Sequence, residues 1–255
     1  MKTVVYQSFR TSPVSDWVAT CLSSVQDWAT GQGYDYRFYD DKIFDRVPSS
    51  VLEQAGEHLQ IATDLGRLIL AQELLAQGFE RVVWIDADIL VFDPENLDLA
   101  VDLGYAFGRE IWVQSTNSGG LRAYKNVHNA ITVFCRDNSF LEFYIESCLS
   151  ILNRANGPLV PQIIGTKFLT ALHNIVGFSL IDEVGMASPL VIRDIAGGGG
   201  PALDLLRQQN PSPLCAVNLC TSLVGGQIDD VNLSDSLMEL ACENLLAIGG
   251  ALFRS

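Results

Sequence analysis

The sequence VVWIDADILVFD at residues 82–93 sets two carboxylates, Asp86 and Asp88, inside an otherwise apolar run. The first part of the run, residues 81–85, predicts a fully buried strand, and Asp86 follows where that strand ends. Burial of an uncompensated charge costs several kcal/mol, so these flanks indicate that a metal ion or a cation compensates the pair. Hard divalent cations prefer oxygen ligands and keep positions open for water and phosphate. The pair therefore predicts a metal or ligand site at the end of a strand.

The chain before this run alternates strands and helices. Residues 3–8 and 34–39 predict strands, and residues 15–31 predict a capped helix. Residues 48–50 contain a proline and mark a break, after which a second helix is predicted from about Glu57 to a Gly78 cap. This β-α-β-α-β order predicts an α/β domain with a parallel sheet, in which ligands bind beyond the carboxyl ends of the strands.

Beyond the acidic pair, the predictions are a strand at 130–134, helices at 139–152 and 161–175, a short strand at 189–192, and a last helix at 234–252. The four glycines at 197–200 predict a loop, which is either a plain linker or a lid that closes over a ligand.

Composition restricts the class of protein and its partners. A chain of 255 residues that is 48% hydrophobic can bury the core of one large domain. Thirty acidic against sixteen basic residues give a net charge of -14, which argues against nucleic-acid or anionic-lipid partners. The six cysteines form no C-x-x-C pair, and the sequence contains neither a signal peptide nor a charge-free stretch of membrane-spanning length. We therefore expect a cytoplasmic protein without a transmembrane segment.

Several segments together resemble one family. The run WIDADILVFD is similar to the Asp-x-Asp segment of the glycosyltransferases with a DXD sugar-binding region, which include initiating α-mannosyltransferases and bacterial capsule transferases. Residues 5–7 (VYQ) resemble the family's opening strand, 63–67 (TDLGR) its Ala-Asp-x-x-Arg, 127–130 (VHNA) its Asn-Ala, and 165–170 (GTKFLT) its Gly-Pro-x-x-Leu-Thr. The likeness extends over roughly residues 4 to 225. Thr166 departs from it by replacing the usual proline, and the late metal-binding histidine of the family is not evident.

The resemblance implies a GT-A (Rossmann-like) fold with a mostly parallel sheet flanked by helices. The implied domain covers residues 1–230, and residues 231–255 form a C-terminal helix that docks on the core or in a homodimer. The implied activity transfers a sugar from a nucleotide-diphosphate sugar to an acceptor hydroxyl, with Mn²⁺ or Mg²⁺ and with retention. The acceptor would be a glycan, a lipid-linked molecule or a small molecule.

The resemblance also implies roles for individual residues. Asp86, Asp88 and Arg67 are the implied catalytic residues. Asp86 and Asp88 would hold the metal, with Asn218 or His173 as a late ligand. Donor contacts are implied for Gln7, Ser8, Arg10, Asp64, Arg67, Trp84, Ala87, His128, Asn129 and Lys167. Structural alternatives stay open for several of these residues. Asp64 and Arg67 are spaced for an exposed i,i+3 ion pair, and Arg10 and Lys167 are equally compatible with solvated surface charges.

Two other functions compete with this prediction. A phosphatase of the haloacid-dehalogenase type also places Asp-x-Asp after an apolar strand, and would use Asp86 as nucleophile and Asp88 as acid, with Lys167 and Asp229-Asp230 available as further groups. That motif normally lies on the first strand, whereas two strand–helix units precede it here. The other alternative is a catalytically silent nucleotide-sugar binding protein on the same fold, which fold alone never excludes.

Overall fold

A six-stranded sheet runs through the protein. This computed structural model describes residues 1–56, 58–99, 101–155 and 159–254. Glu57, where the second helix was predicted to begin, and Ser255, the predicted C-terminal limit, lie outside the described residues. Across the sheet the strands follow the order β2 (Asp35–Tyr39), β1 (Thr3–Ser8), β3 (Arg81–Ile85), β6 (Leu121–Cys135), β5 (Tyr105–Ser115) and β7 (Leu180–Ile181).

Of these six strands, β6 runs against the other five. The pairs β1–β2, β1–β3 and β5–β7 are parallel, and β6 pairs antiparallel with both β3 and β5. The predicted α/β fold with a mostly parallel sheet is therefore confirmed.

The remaining elements surround this sheet. A three-stranded sheet has the order β4 (Ile89–Val91), β9 (Ala216–Asn218) and β8 (Val184–Met186), and β10 (Gln227–Ile228) pairs with β11 (Val231–Asn232). The helices are α1 (Asp16–Gly31), α2 (Ser49–Ala55), α3 (Leu59–Ala76), α4 (Leu141–Arg154), α5 (Thr166–Val176), α6 (Pro189–Ala196), α7 (Pro201–Gln209) and α8 (Asp235–Arg254). Two 3₁₀ helices cover Asp41–Arg46 and Thr221–Leu223.

The two faces of the sheet follow from strand alternation. On β1, Val4 and Tyr6 pack into the cluster that holds the buried face of α3, whereas Val5 packs into the cluster that holds Val25 and Trp28 of α1. Successive side chains of a strand point to opposite faces, so a continuous apolar run indicates helices on both sides. The carboxyl ends of β1 and β3 stay uncovered between these layers.

One predicted strand is wrong. Residues 189–192 begin α6, because Pro189 occupies the first turn of that helix after Ser188, a position in which proline's missing N–H costs nothing. Most residues of the helix are buried, and the periodicity of a short apolar run does not distinguish a buried helix from a buried strand. The break predicted at 48–50 is instead the start of α2, and the strand predicted at 130–134 is one end of the much longer β6.

The four glycines form the turn between α6 and α7. The Asp194 carboxylate accepts hydrogen bonds from the N–H groups of Ala202 (2.7 Å) and Leu203 (3.2 Å) at the start of α7. A side chain at Gly200 would collide with that carboxylate. The structure therefore favours the linker alternative over the lid, because the glycines hold two helices together and do not line the cleft described below.

Helix α8 packs against α6 and α1 through a buried face that includes Met238, Ala241 and Leu245. By length and hydropathy alone, α8 is the one helix among the described residues that could cross a membrane. Leu240, Leu246 and Ile248 of the same helix are exposed. The homodimer stays a prediction.

The packing of α8 predicts that alanine substitution at two neighbouring glycines has opposite effects on thermal stability. An alanine Cβ at Gly249 would lie 2.5 Å from the ring of Phe92, whereas at Gly250 the nearest atom is an Asp93 oxygen at 3.7 Å. Alanine is favoured over glycine in a helix interior by about 0.5–1 kcal/mol. We expect Gly250→Ala to raise the melting temperature and Gly249→Ala to lower it, as measured by thermal unfolding. Equal shifts for the two variants would contradict this docking of α8.

Candidate functional site

The carboxyl ends of β1 and β3 open into a cleft of about 580 Å³. Most of the predicted site residues line it, namely Ser8, Arg10, Asp64, Arg67, Trp84, Asp86, Ala87, Asp88, His128, Asn129 and Asn218. A larger groove of about 790 Å³ lies beside α1, but neither member of the acidic pair lines it. The chemistry of the side chains, and not volume, therefore selects the smaller cleft.

Arg67 lies at the centre of a buried charge cluster. Its Nη2 pairs with Asp64 Oδ1, and its Nη1 donates to Asp86 Oδ1 (2.9 Å) and to the carbonyl oxygen of Asn129 (2.7 Å). The guanidinium also lies over the Trp84 ring at 5.2 Å. Only 4% of Arg67 and 7% of Asp64 is exposed, so the exposed ion-pair alternative is wrong. The i,i+3 spacing does produce a pair, but a buried one that also holds Asp86.

Asp86 is held through one carboxylate oxygen and through its backbone. Trp84 Nε1 donates to the same Oδ1 at 2.6 Å, while the Gln7 amide donates to the Asp86 carbonyl oxygen at 3.1 Å. Loss of water around the carboxylate raises its pKa to about 7, although Arg67 lowers it and Asp88 raises it further. About 30% of the side chain remains exposed to the cleft. Since both side-chain donors found in the described part of the chain use Oδ1, Oδ2 is the oxygen left for a ligand.

Asp88 is held by neutral donors from the segment after β9. Asn218 Nδ2 donates to Oδ1 at 2.7 Å, and Thr221 donates to Oδ2 through its backbone N–H (2.7 Å) and its hydroxyl (2.5 Å). The Asn218 amide is oriented by the Cys220 N–H, which donates to Asn218 Oδ1 at 2.7 Å. In this arrangement Asn218 fixes Asp88 and does not turn its own oxygen toward the acidic pair.

The acidic pair suits a hard divalent cation. Among residues 1–56, 58–99, 101–155 and 159–254, no group of three or more His, Cys, Asp and Glu side chains is placed to hold a metal ion. A cation at Asp86 and Asp88 would therefore complete its shell with water and ligand oxygens, the arrangement typical of Mg²⁺. His173 does not reach the pair, because it lies near the end of α5, where its Nδ1 accepts from the Phe178 N–H at 3.3 Å.

Two further residues predicted to contact a donor lie outside the cleft lining. Gln7 is fully buried, and its amide oxygen accepts from the Tyr36 hydroxyl at 3.0 Å while its nitrogen holds Asp86. Lys167 is exposed on the first turn of α5. The structure thus places Gln7 as a support behind Asp86 and Lys167 on the surface.

His128 has both ring nitrogens bonded within the protein, and Asn129 is held through its amide nitrogen. His128 Nε2 bonds to the Val184 carbonyl at 3.1 Å, and Nδ1 accepts from the Ala130 N–H at 3.2 Å. These bonds require a proton on Nε2, and burial lowers the pKa of His128 to about 4, so the ring is neutral. Asn129 Nδ2 donates to Asp64 Oδ1 at 2.9 Å.

Sequence reasoning assigned no role to several residues that line the cleft, among them Thr221, Phe9 and Phe44, or to Gly165, which lies against the cleft residues Asn129 and Asp64. An added Cβ at Gly165 would lie 2.9 Å from Asn129 and 3.0 Å from Asp64, so the absent side chain gives that pair its space. Gly165 lay within a segment already quoted for its resemblance, which was a usable signal. The contact of Thr221 with Asp88 could not be predicted from the sequence, because it depends on how β9 pairs with β4.

Comparison with known proteins supports the fold. No family model matches the chain, and no curated protein matches it. The crystal structure of a glycosyltransferase involved in the glycosylation of the major capsid of PBCV-1 is similar with a TM-score of 0.51 and 14% identity, over 95% of this chain and 100% of that one. The glycosyltransferase GlyE of Streptococcus pneumoniae TIGR4 has a TM-score of 0.42 and 11% identity, over 96% of this chain and 62% of that one, a likeness too weak to carry an argument. The likeness to the PBCV-1 capsid glycosyltransferase confirms the predicted GT-A-like fold.

The buried cluster predicts that Arg67 also stabilises the fold. Removal of one partner of a buried ion pair costs about 3–5 kcal/mol, whereas a half-exposed pair contributes at most about 1 kcal/mol. We expect Arg67→Ala to lower the free energy of unfolding by the larger amount in urea denaturation. The matched control is Arg46→Ala, which breaks the 2.8 Å pair with Glu73, where the two side chains are 24% and 40% exposed. Losses of similar size in both variants would contradict the buried cluster.

The raised pKa of Asp86 predicts a pH dependence of stability. The folded pKa of about 7 lies above the ordinary value of 3.8, so the stability present at low pH is lost as the pH rises through about 7. Asp86→Asn removes this titration while its Oδ1 can still accept from Arg67 and Trp84. In EDTA, the variant should therefore gain stability relative to wild type as the pH increases from about 4 to 8. A difference that stays constant with pH would show that Asp86 does not titrate in this range.

Proposed function

We propose that this protein is a metal-dependent glycosyltransferase that moves a sugar from a nucleoside-diphosphate sugar to an acceptor hydroxyl. The observation that carries the proposal is the acidic pair at the end of β3, with Asp86 fixed by buried Arg67 and Asp88 fixed by Asn218 and Thr221. The pair opens into a cleft at the carboxyl edge of the sheet, where α/β folds bind their ligands. The likeness in fold to a glycosyltransferase supports the same reaction class.

The charge of the protein requires local compensation for an anionic donor. A net charge of -14 repels a diphosphate at long range, so the cleft itself must supply positive charge. Arg10 and Arg67 line the cleft, but Arg67 already faces two carboxylates. A divalent cation on the acidic pair would supply the missing charge, and Mn²⁺ and Mg²⁺ are the ions that match oxygen ligands.

When bound, such a cation would stabilise the negative charge that develops on the leaving nucleoside diphosphate. The chain's own contribution is to hold the ligands in place before the donor arrives. Asp86 would offer Oδ2, because Oδ1 is committed to Arg67 and Trp84. Asp88 keeps its orientation because three hydrogen bonds hold it. Preorganised charges of this kind supply the largest share of catalysis in many enzymes.

The rest of the cleft suits a nucleotide and a sugar. Ser8 ends β1, Phe9 and Arg10 follow it, and with Phe44 these residues would contact the base and ribose. Asp64 and Asn129 would face the donor sugar, with hydroxyl groups as their natural partners. His128 is not available as a general base, since the protein uses both of its ring nitrogens. This fits the retaining reaction that the sequence resemblance implies, in which no dedicated base is needed.

The two competing functions make different predictions. A phosphatase would turn over aryl phosphates, and its nucleophile would stand on the first strand, whereas Asp86 follows β3, the third strand of the chain. A silent binding protein would hold the donor without consuming it. Turnover of nucleotide-sugars and of aryl phosphates therefore separates all three.

We expect slow hydrolysis or transfer when the protein is given a panel of UDP-, GDP- and other nucleotide-sugars with Mn²⁺. EDTA should stop the reaction, and added Mn²⁺ or Mg²⁺ should restore it. Asp86→Asn and Asp88→Asn should each lower the rate by roughly a hundredfold or more, because even partners of metal ligands change activity by 10–100-fold. The control is Asp98→Asn, an exposed aspartate close by in sequence.

Three results would contradict the proposal. Full activity of Asp86→Asn or Asp88→Asn would rule out a metal site at these residues. Turnover of p-nitrophenyl phosphate would favour the phosphatase. Tight donor binding without consumption of any nucleotide-sugar in the panel would favour the silent binding protein.

A further inference from the structure

The β5–β6 hairpin extends beyond the edge of the central sheet. The pairing of β5 with β6 is irregular between Phe107 and Gly108. From Gly108↔His128 to Ser115↔Leu121 the two strands pair without interruption. Alternate residues of a strand share a face, so His128, which lines the cleft, shares its face with the next alternate residues of β6. We call this surface the hairpin face. It consists of Arg122, Tyr124 and Asn126 of β6 and of the residues opposite them on β5, Gln114, Trp112 and Glu110.

The hairpin face combines aromatic rings with polar groups. Trp112 and Tyr124 are directly opposite each other; Trp112 is half-buried and Tyr124 is 37% exposed. Arg122 lies over the Tyr124 ring at 4.8 Å. Closer to His128, Asn126 Nδ2 donates to Glu110 Oε1 at 2.6 Å. None of these residues takes part in the donor chemistry proposed above, so the face has no assigned role.

We propose that the hairpin face binds a sugar residue of the acceptor, which makes the acceptor a glycan. The inference rests on the proposed function, because the face begins at His128 in the donor cleft and leads away from the acidic pair. Tyr124 lies four positions before His128 on β6, a span of roughly 13 Å along the strand. An acceptor lying along the hairpin face would thus place one end at the donor cleft.

The chemistry of the face favours a sugar over other acceptors. A pyranose ring presents C–H groups on its faces and hydroxyl groups around its edge, so it matches flat rings bordered by hydrogen-bonding side chains. A lipid chain would require an apolar wall, whereas Glu110, Asn126 and Arg122 interrupt this one. A peptide that binds by strand addition would require an unpaired strand edge, whereas the face presents side chains.

Glu110 and Asn126 form the polar part of the face. Glu110 is 8% exposed, and burial raises its pKa, an effect that the hydrogen bond from Asn126 opposes. Asn126 uses one amide hydrogen for Glu110, and its other hydrogen and its oxygen, which bond to no side chain among the described residues, could meet a ligand. The pair can therefore both accept from and donate to sugar hydroxyls.

Trp112 allows binding to be measured without catalysis. The other three of the four tryptophans, Trp17, Trp28 and Trp84, are buried. In protein labelled with 5-fluorotryptophan, methyl glycosides and disaccharides of glucose, galactose and mannose should shift the ¹⁹F signal that Trp112→Phe removes. With an accepted sugar, Trp112→Ala and Tyr124→Ala should raise the acceptor KM on the order of three- to tenfold, the usual effect of one aromatic contact. Lys125→Ala, an exposed residue on the opposite face of β6, should leave the acceptor KM unchanged.

The outcomes separate this inference from the proposed function. Wild-type protein that consumes a nucleotide-sugar while every sugar in the panel leaves the Trp112 signal unmoved would overturn the hairpin-face inference alone. Acceptor KM values unchanged in Trp112→Ala and Tyr124→Ala would do the same. Sugars that shift the Trp112 signal, in a protein that consumes no nucleotide-sugar, would leave the face in place and contradict the transferase. Binding to phosphatidylcholine vesicles that Trp112→Ala abolishes would reassign the face to a membrane.

Discussion

The burial of Arg67 against Asp64 and Asp86 is the interaction on which the cleft depends. A charged guanidinium with 4% exposure is tolerated because two carboxylates and a backbone carbonyl surround it. The same cation limits how far burial raises the pKa of Asp86 and commits one of its oxygens. The cluster therefore links the stability of the fold to the geometry of the cleft. It also ties α3 to the end of β3, so the position of the acidic pair is set by the packing of the domain.

The two members of the acidic pair are held by different chemistry. Asp86 contacts a cation and an indole N–H, whereas Asp88 accepts only neutral donors from the segment after β9. That segment reaches Asp88 because β9 pairs antiparallel with β4, with Asn218 opposite Ile89. Residues about 130 positions apart thus meet at one carboxylate. The two carboxylates are therefore fixed independently, Asp86 by side chains of α3 and β3 and Asp88 by the segment around the end of β9.

The local parts of this structure were predictable and the long-range parts were not. The apolar runs of β1 and β3 are short-range patterns, and the strands predicted from them agree with the structure; the i,i+3 spacing of Asp64 and Arg67 predicted their pairing but not its burial. Pattern alone could not separate a buried helix from a strand at Pro189–Ala196. It also could not show that Asn218 turns its amide nitrogen to Asp88, because this depends on the Cys220 N–H, nor that His173 lies against Phe178. The orientation of a side chain depends on tertiary neighbours that a linear motif does not contain.

The central claim is that Asp86 and Asp88 hold a divalent cation together with a nucleoside diphosphate. Electron paramagnetic resonance of Mn²⁺ measures this directly, because bound and free Mn²⁺ give different signals. Titration of the protein with Mn²⁺, alone and with UDP or GDP, should reveal a bound ion whose affinity increases when the matching diphosphate is present. The Asp86→Asn/Asp88→Asn double variant should lose that bound signal while it remains folded. Unchanged Mn²⁺ binding in the folded double variant, or binding that neither diphosphate strengthens, would contradict the account.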